Sequence, residues 1–431
     1  MSELLQAELT WDGQRFVPGL RLAIDAEGRI AGLGSAAELP GEARQLTGRA
    51  LLPGLVNAHS HAFQRGLRGL GERFPEGSGS FWTWREAMYG LVSEMDAERM
   101  HALSLQAFRE MLAAGFTSVG EFHYLHHARD AGGWELDAAV LAAAAEAGIR
   151  IVLLQAYYET GSIGRPLKGA QLRFRSQDPG DYWQGFERMQ ALLAPATQSA
   201  GCVVHSIRAA GLDALRSVHA ESKRRGLVCH MHLEEQRREI EDCLEAYRRT
   251  PMAILNDELD LDQRFCAVHC THSAARDMRR YLESGANVCI CPLTEANLGD
   301  GISDLASFWQ PASTGSQLCI GSDSNARISG VEELRWFEYA QRLEHEARGQ
   351  CRDAQGELAR GLLQVGTSGG ARALGLETGS LAKGSWADLV TLDLGASCLA
   401  GWETETLLES WIFGAGNEAI GEVCVGGRWV L

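Results

Sequence analysis

Residues 54–63 read GLVNAHSHAF, a short apolar run that ends in two histidines. Side chains at i and i+2 of a strand project to the same side. On a strand, His59 and His61 therefore face one way, as two ligands of one cation would. The same design recurs along the chain. The runs are GFTSVGEFHYLHH (115–127), IRIVLLQAYYE (149–159), CVVHSIRAAG (202–211), LVCHMHLEEQ (227–236), FCAVHCTHS (265–273), ANVCICPLTEANLG (286–299) and QLCIGSDSN (317–325). Helix-like segments fall between most of them: Met95–Ala114, Leu136–Ala147, Asp181–Leu193, Leu212–Arg225, Gln236–Tyr247 and Ala274–Ser284. Eight apolar strands alternating with helices predict an α/β fold, a TIM-like (β/α)8 barrel. Each run ends in polar or ionisable residues: His59 and His61, His123, Tyr158 and Glu159, His205 and Arg208, His232 and Glu235, His269, Thr294 and Asn297, and Asp323. Barrel enzymes keep their chemistry at the C-terminal strand ends. The polarity gradient within the runs thus marks one face as the site.

Outside this core the pattern changes. The first fifty residues read as short strands between turn residues: LLQAELTWDG, RFVPGLRLAID, GRIAGLG and ARQLTGRALLPG. The last fifty look similar, with DLVTLDL, LESWIFGAG and IGEVCVGGRWVL. Both ends are expected to pair into one small β-sandwich domain. The predicted organisation is residues 1–50 and 376–431 in that domain and residues 51–375 in a catalytic barrel.

Composition narrows the function classes. The 431 residues suit about two to three domains, or one large barrel with an appendage. Forty basic against 56 acidic side chains leave a formal charge of −16. Nucleic-acid binding, which needs a basic face, is not expected. No apolar run reaches the roughly 18–20 residues of a bilayer span. The segment MSELLQAELTWDG lacks a basic stretch followed by an apolar one, so no secretory leader is expected. Eleven cysteines, none in a C-x-x-C pair, read as reduced core residues of a cytoplasmic protein. Redox or metal use of Cys289 and Cys291 is the alternative, weighed against the habit of free cysteine to behave as a small buried hydrophobe.

Four groups carry chemistry. His59 and His61 form the first, and taken alone an H-x-H pair is weak. The second is His230-Met231-His232-Leu233-Glu234-Glu235. Here His232 continues the inward alternation as a third ligand, and Glu235 or Glu234 reaches over the metal as a proton carrier. His230 reads as packing beneath them. His269 is the third group and Asp323 the fourth. Three imidazoles with a carboxylate suit a divalent transition metal, most often zinc, with a position left for water. Iron or manganese suit the same donors. Each group alone has a structural explanation. Their appearance together at barrel strand ends points to a metal site.

PG-x-VNAHSH, a His on strand five with Glu three later, a His on strand six and an Asp on strand eight together resemble the amidohydrolase superfamily. The resemblance covers nearly the whole chain. It implies His59, His61, His232 and Asp323 as metal ligands. It implies Glu235 and His269 as groups that handle protons and hold the attacking hydroxide, with Asp323 as proton acceptor. Binuclear members carry a bridging lysine at the end of strand four. CVVHSIRA has none, so one divalent metal per subunit, of the deaminase type, is expected.

HSHAFQRGLRG, FWTWREAMYGL, EFHYLHH and HSIRAAG resemble one branch of that superfamily, the formimidoylglutamate deiminases of histidine degradation. This implies hydrolysis of N-formimino-L-glutamate to N-formyl-L-glutamate and ammonia, and a possible homodimer. It implies substrate contacts from Gln64, Arg85, Tyr124, His205 and Arg208. The physical reading agrees for the arginines. An acidic protein needs local cations to hold a small-molecule dicarboxylate, and Arg forks do so bidentately. Arg85 is read in an aromatic loop, where Phe81, Trp82 and Trp84 pack with some pocket contact. Another aminohydrolase acting on a purine or pyrimidine base is the alternative on the same scaffold. A hydantoinase-type hydrolase and a non-catalytic metal-stabilised scaffold are more distant ones.

Overall fold

Two sheets organise the computed structural model, which describes residues 3–72, 79, 81–128, 133–305, 309 and 317–431. The barrel strands are Leu55–Ser60, Phe116–His123, Arg150–Tyr157, Gln198–Val204, Cys229–Leu233, Phe265–His269, Asn287–Ile290 and Leu318–Ile320. They lie side by side in chain order, all parallel. A parallel bridge between Ser60 and Asp323 joins the first strand to the chain just beyond the eighth. Side chains seal that seam. Asn57 Nδ2 donates to Ser322 Oγ at 2.6 Å, and Asn57 Oδ1 accepts the Ser322 N–H at 3.0 Å. Asn325 Nδ2 donates to Ser60 Oγ at 3.1 Å. The residues sealed together are those flanking His59, His61 and Asp323, so closure of the barrel also sets the site.

Most barrel strands are buried on both faces. This explains their continuous apolar runs, since helices cover a parallel sheet from outside. The six helices read from the sequence form at Ala97–Ala113, Glu135–Ala147, Pro179–Gln190, Leu212–Arg224, Arg237–Tyr247 and Ala275–Glu283. Asp96 caps the first of them by accepting the Arg99 N–H. Arg85 lies on a further helix, Phe81–Ser93, not in a loop.

The strands of both chain ends join in one hydrogen-bonded sheet. Its centre is Arg44–Pro53, parallel to Glu3–Trp11 and antiparallel to Leu389–Asp393. Gly54 then leads into the first barrel strand. A Cβ there would lie 2.2 Å from the Thr117 side chain, so only glycine fits. LESWIFGAG differs from its predicted strand: Leu407–Gly414 is a helix that buries Leu407, Leu408, Trp411 and Ile412. That spacing is helical, and a short apolar run does not betray its period when read as a block.

All eleven cysteines are free, and only Cys398 is not buried. Cys266, Cys289, Cys291 and Cys319 pack with Ala58, Val268 and Ala373. Among the described residues no helix is long and apolar enough to cross a membrane.

A buried ion pair ties the terminal sheet to the barrel. Arg150 on the third barrel strand donates Nε to Asp388 Oδ2 at 2.7 Å and Nη2 to Oδ1 at 3.0 Å. Asp388→Ala leaves that guanidinium buried without its partner, at an expected cost of about 3–5 kcal/mol. Urea unfolding should show a lower midpoint with an unchanged slope. A loss below about 1 kcal/mol would mean the pair behaves like an exposed one.

Candidate active site

The barrel strand ends bring four imidazoles and one carboxylate to a point. His59 Nε2 lies 3.1 Å from His232 Nε2, and His61 Nε2 lies 3.3 Å from it. Asp323 Oδ1 is 3.3 Å from His59 Nε2 and 3.4 Å from His61 Nε2. Donor atoms of His59, His232, His269 and Asp323 all lie within 4.8 Å of one another. Backbone carbonyls fix the tautomers. His61 Nδ1 donates to Phe122 O at 2.8 Å, and His232 Nδ1 donates to His205 O at 3.2 Å. Each Nε2 then presents its lone pair inward, as in a metal-bound histidine whose other ring nitrogen donates to a carbonyl. Lone pairs this close repel unless a cation lies between them. The residues fit one divalent cation.

Electrostatics agree with that fit. Burial, then the neighbouring His59, holds the His61 imidazole down at about 3. Burial lowers His59 and His232 as well. Neutral imidazole is the form that binds metal. Burial opposes ionisation of Asp323, but the His59 hydrogen bond and the surrounding imidazoles hold it below the usual carboxylate range. Backbone geometry is unusual at the same places. Glu234, His269 and Asp323 have φ of +51°, +74° and +46°, a left-handed region uncommon for residues with a Cβ. Hydrogen bonds hold the turns, including His61 N–H to Asp323 O at 2.9 Å and Cys270 N–H to Leu233 O at 2.9 Å.

A pocket opens over this point. Gln64, Arg85, Tyr124, His205, Arg208, Glu235 and His269 all line it, with Phe81, Trp84, Tyr89, Tyr158 and Phe174 as aromatic walls. Gln64 Nε2 donates to Tyr124 Oη at 2.8 Å, and Gln64 Oε1 is buried without a partner. Glu235, not Glu234, is the carboxylate in the pocket. Glu234 accepts the Met252 N–H at 2.8 Å and the Ser273 hydroxyl on the far side. Burial raises the pKa of Glu235, partly offset by the charges of His269 and Arg208.

Several strand-end residues read from the sequence lie elsewhere. Phe122 packs its ring on His232 at 4.2 Å, so alternation carries His123 to the other side. There Asp137 lies 2.9 Å from His123 Nε2 and 3.0 Å from His126 Nδ1. His126 Nε2 also donates to Ala156 O at 2.8 Å. Both ring nitrogens of His126 thus face acceptors. Thr294 bonds Ser322 O and Asn297 bonds Glu72. Glu159 accepts the Gly211 N–H. His230 donates to Ala373 O at 2.9 Å beneath the site, and Trp82 stacks under Arg238.

Two carboxylates were not anticipated. Glu295 Oε1 accepts from His269 Nδ1 at 3.2 Å and from the Cys291 N–H at 3.0 Å. Burial would lower the pKa of His269, but Glu235, Glu295 and Asp323 together push it up to about 10. Glu239 lies behind Arg208. The signal for Glu295 was present: it is the one carboxylate in ANVCICPLTEANLG.

Comparison with known proteins agrees with this geometry. The model of the amidohydrolase family matches residues 50–430. The chain is 40% identical over 418 residues to formimidoylglutamate deiminase of Pseudomonas aeruginosa, covering 96% of this chain and 91% of that protein. A crystal structure of an amidohydrolase from Brucella melitensis superposes with a TM-score of 0.89 at 34% identity, covering 99% of this chain and 94% of the other. A zinc-bound adenosine deaminase from Xanthomonas campestris shares the fold, with a TM-score of 0.81 at 22% identity over 99% of this chain and 92% of the other. The chain belongs to the amidohydrolase family.

Proposed function

We propose that the chain hydrolyses N-formimino-L-glutamate to N-formyl-L-glutamate and ammonia. The observation that carries this reading is the presence of two guanidinium groups, Arg85 and Arg208, in the pocket that holds the His/Asp set. Two cations in one pocket of an acidic chain suit a dicarboxylate better than a neutral base. The relative from Pseudomonas aeruginosa, named for this activity, supports it. We assign residues 51–375 to the catalytic barrel and residues 1–50 and 376–431 to the terminal domain. A reducing, cytoplasmic setting suits eleven free cysteines.

His59, His61, His232 and Asp323 would hold one divalent cation, zinc by the donor set, which when bound supplies a water acidic enough to ionise near pH 7, as about 7 is typical of zinc sites. Asp323 takes the proton released. His269 Nε2 orients the attacking oxygen, with its Nδ1 anchored on Glu295. Arg85 and Arg208 hold the substrate carboxylates, assisted by Gln64, Tyr124 and His205. Water adds at the formimino carbon. Glu235 delivers a proton to the imine nitrogen, and the C–N bond to that nitrogen breaks. The N–CH=NH group plus water becomes N–CHO plus NH3.

The test is ammonia release by metal-quantified protein from N-formimino-L-glutamate, with N-formimino-L-aspartate and guanine alongside. Fast release from the glutamate derivative, with about one metal per chain, is expected. Release from guanine alone would favour the base-deaminase alternative. Arg208→Gln should raise KM for the diacid about 10–100-fold, the worth of a charge-assisted hydrogen bond, and leave metal content unchanged. An unchanged KM would remove Arg208 from the substrate site.

A further inference from the structure

Arg208 lies between two carboxylates and is hydrogen-bonded to neither. Its Nη2 is 3.7 Å from Glu235 Oε2, and its Nε is 3.8 Å from Glu239 Oε2. A hydrogen bond needs about 3.2 Å or less. Glu239 is 1% exposed, and both of its oxygens are without a hydrogen-bond partner. Arg208 Nε is equally unpartnered. Yet Glu239 does not line the pocket. It stands in the first turn of the helix Arg237–Tyr247, four residues past Glu235, and reaches Arg208 from behind.

A buried carboxylate with no partner is costly and is retained only where something compensates it. Here the guanidinium charge offsets part of that cost, while burial still pushes Glu239 up to about 7. Glu239 faces the Nε side of the fork. The paired Nη groups remain for an incoming carboxylate, which a planar fork accepts bidentately. Glu235, by contrast, competes for Nη2. With no negative charge at Glu239, the nearest carboxylate attracting Arg208 is Glu235. Closing that 3.7 Å gap would occupy both the substrate's anchor and the proton carrier.

We propose that Glu239 is a positioning residue: it draws Arg208 back from Glu235 and so keeps the guanidinium fork free for a substrate carboxylate. The inference rests on the reading that Arg208 binds such a group. It makes Glu239 a determinant of specificity for acidic substrates although it does not touch them.

The experiment is a double-mutant cycle on the metal-loaded enzyme, with Glu239→Gln, Arg208→Gln and the double variant. Each protein is followed by KM and kcat for N-formimino-L-glutamate, by metal content, and by calorimetric binding of glutarate, a non-reacting dicarboxylate of similar span. Glu239→Gln is isosteric. It is expected to raise KM and weaken glutarate binding at least about fivefold, in the range of direct couplings, with kcat lowered less and metal retained. In the Arg208→Gln background it should change neither KM nor glutarate affinity further. Glu239→Asp, which keeps the charge, should fall between wild type and Glu239→Gln, and it serves the cycle if the Gln variant does not fold. An unchanged KM in Glu239→Gln would overturn the proposal. So would additive effects in the double variant, or a loss confined to stability and kcat. If wild type binds glutarate but does not turn over the formimino acid, the proposed function fails, and the glutarate cycle still decides the role of Glu239. If wild type does neither, both fail.

Discussion

Glu235→Gln is expected to keep its fold and its metal and to lose about 10²–10⁴-fold in kcat, the usual contribution of a placed proton carrier. The substitution is isosteric, and Glu235 is not among the donors that converge on the cation position. What is lost is a dissociable proton. Burial raises the pKa of Glu235, so more of it is protonated near neutrality than of an ordinary glutamate. A proton donor to a departing nitrogen needs that form. Both arginines stay in the pocket and the competitor for Arg208 Nη2 loses its charge, so KM should not rise while kcat falls, as expected when an interaction made in the transition state is removed. Glu234→Gln is the internal control. Its carboxylate bonds Met252 and Ser273, so it should change stability more than rate. A Glu235→Gln enzyme near the wild-type rate would mean that another group moves the proton.

Adjacent residues, Glu234 and Glu235, show where sequence reading stops. The fifth strand and its terminal acids are legible from an apolar run followed by charge. Which acid faces inward depends on where the strand breaks, and it breaks at Glu234, whose φ is +51°. No periodicity encodes that turn. His123 is a similar case. It counts among the polar strand-end residues that mark the site face, but the alternation set by Phe122 turns it toward Asp137. His59, His61, His232, His269 and Asp323 were legible because a barrel gathers its strand ends at one face. Gln64, Arg85 and Tyr124 came from family resemblance. Spacing alone placed Arg85 in a loop, whereas it lies on a helix beside Trp84 and Tyr89. Glu295 and Glu239 were not seen, because each acts through another side chain: Glu295 stands between Thr294 and Asn297 at the end of a run but does not line the pocket, and Glu239 lies on the helix after the fifth strand. The terminal helix Leu407–Gly414 was misread for a different reason, a run too short and too apolar to show its period.

Asp323→Asn is expected to lower metal affinity and to abolish most turnover, on the order of 10²–10⁴-fold, without unfolding the barrel. Asp323 has a φ of +46°, and asparagine tolerates the left-handed region nearly as well as any residue with a Cβ. The backbone bonds that lock the seam survive: Asp323 N–H to His59 O at 3.0 Å and His61 N–H to Asp323 O at 2.9 Å. The change therefore removes charge and basicity, not a fold element. A neutral amide is a weaker ligand for a divalent cation and cannot accept the proton of a bound water. Stability supplies a second readout. A ligand that binds only the native state adds about 2.7 kcal/mol when present at a hundred times its Kd. Chelated wild type should thus regain several degrees of Tm when zinc is restored, and Asp323→Asn should regain much less. Equal gains in the two proteins would show that the cation is held without Asp323, and the ligand set would have to be redrawn around the histidines alone.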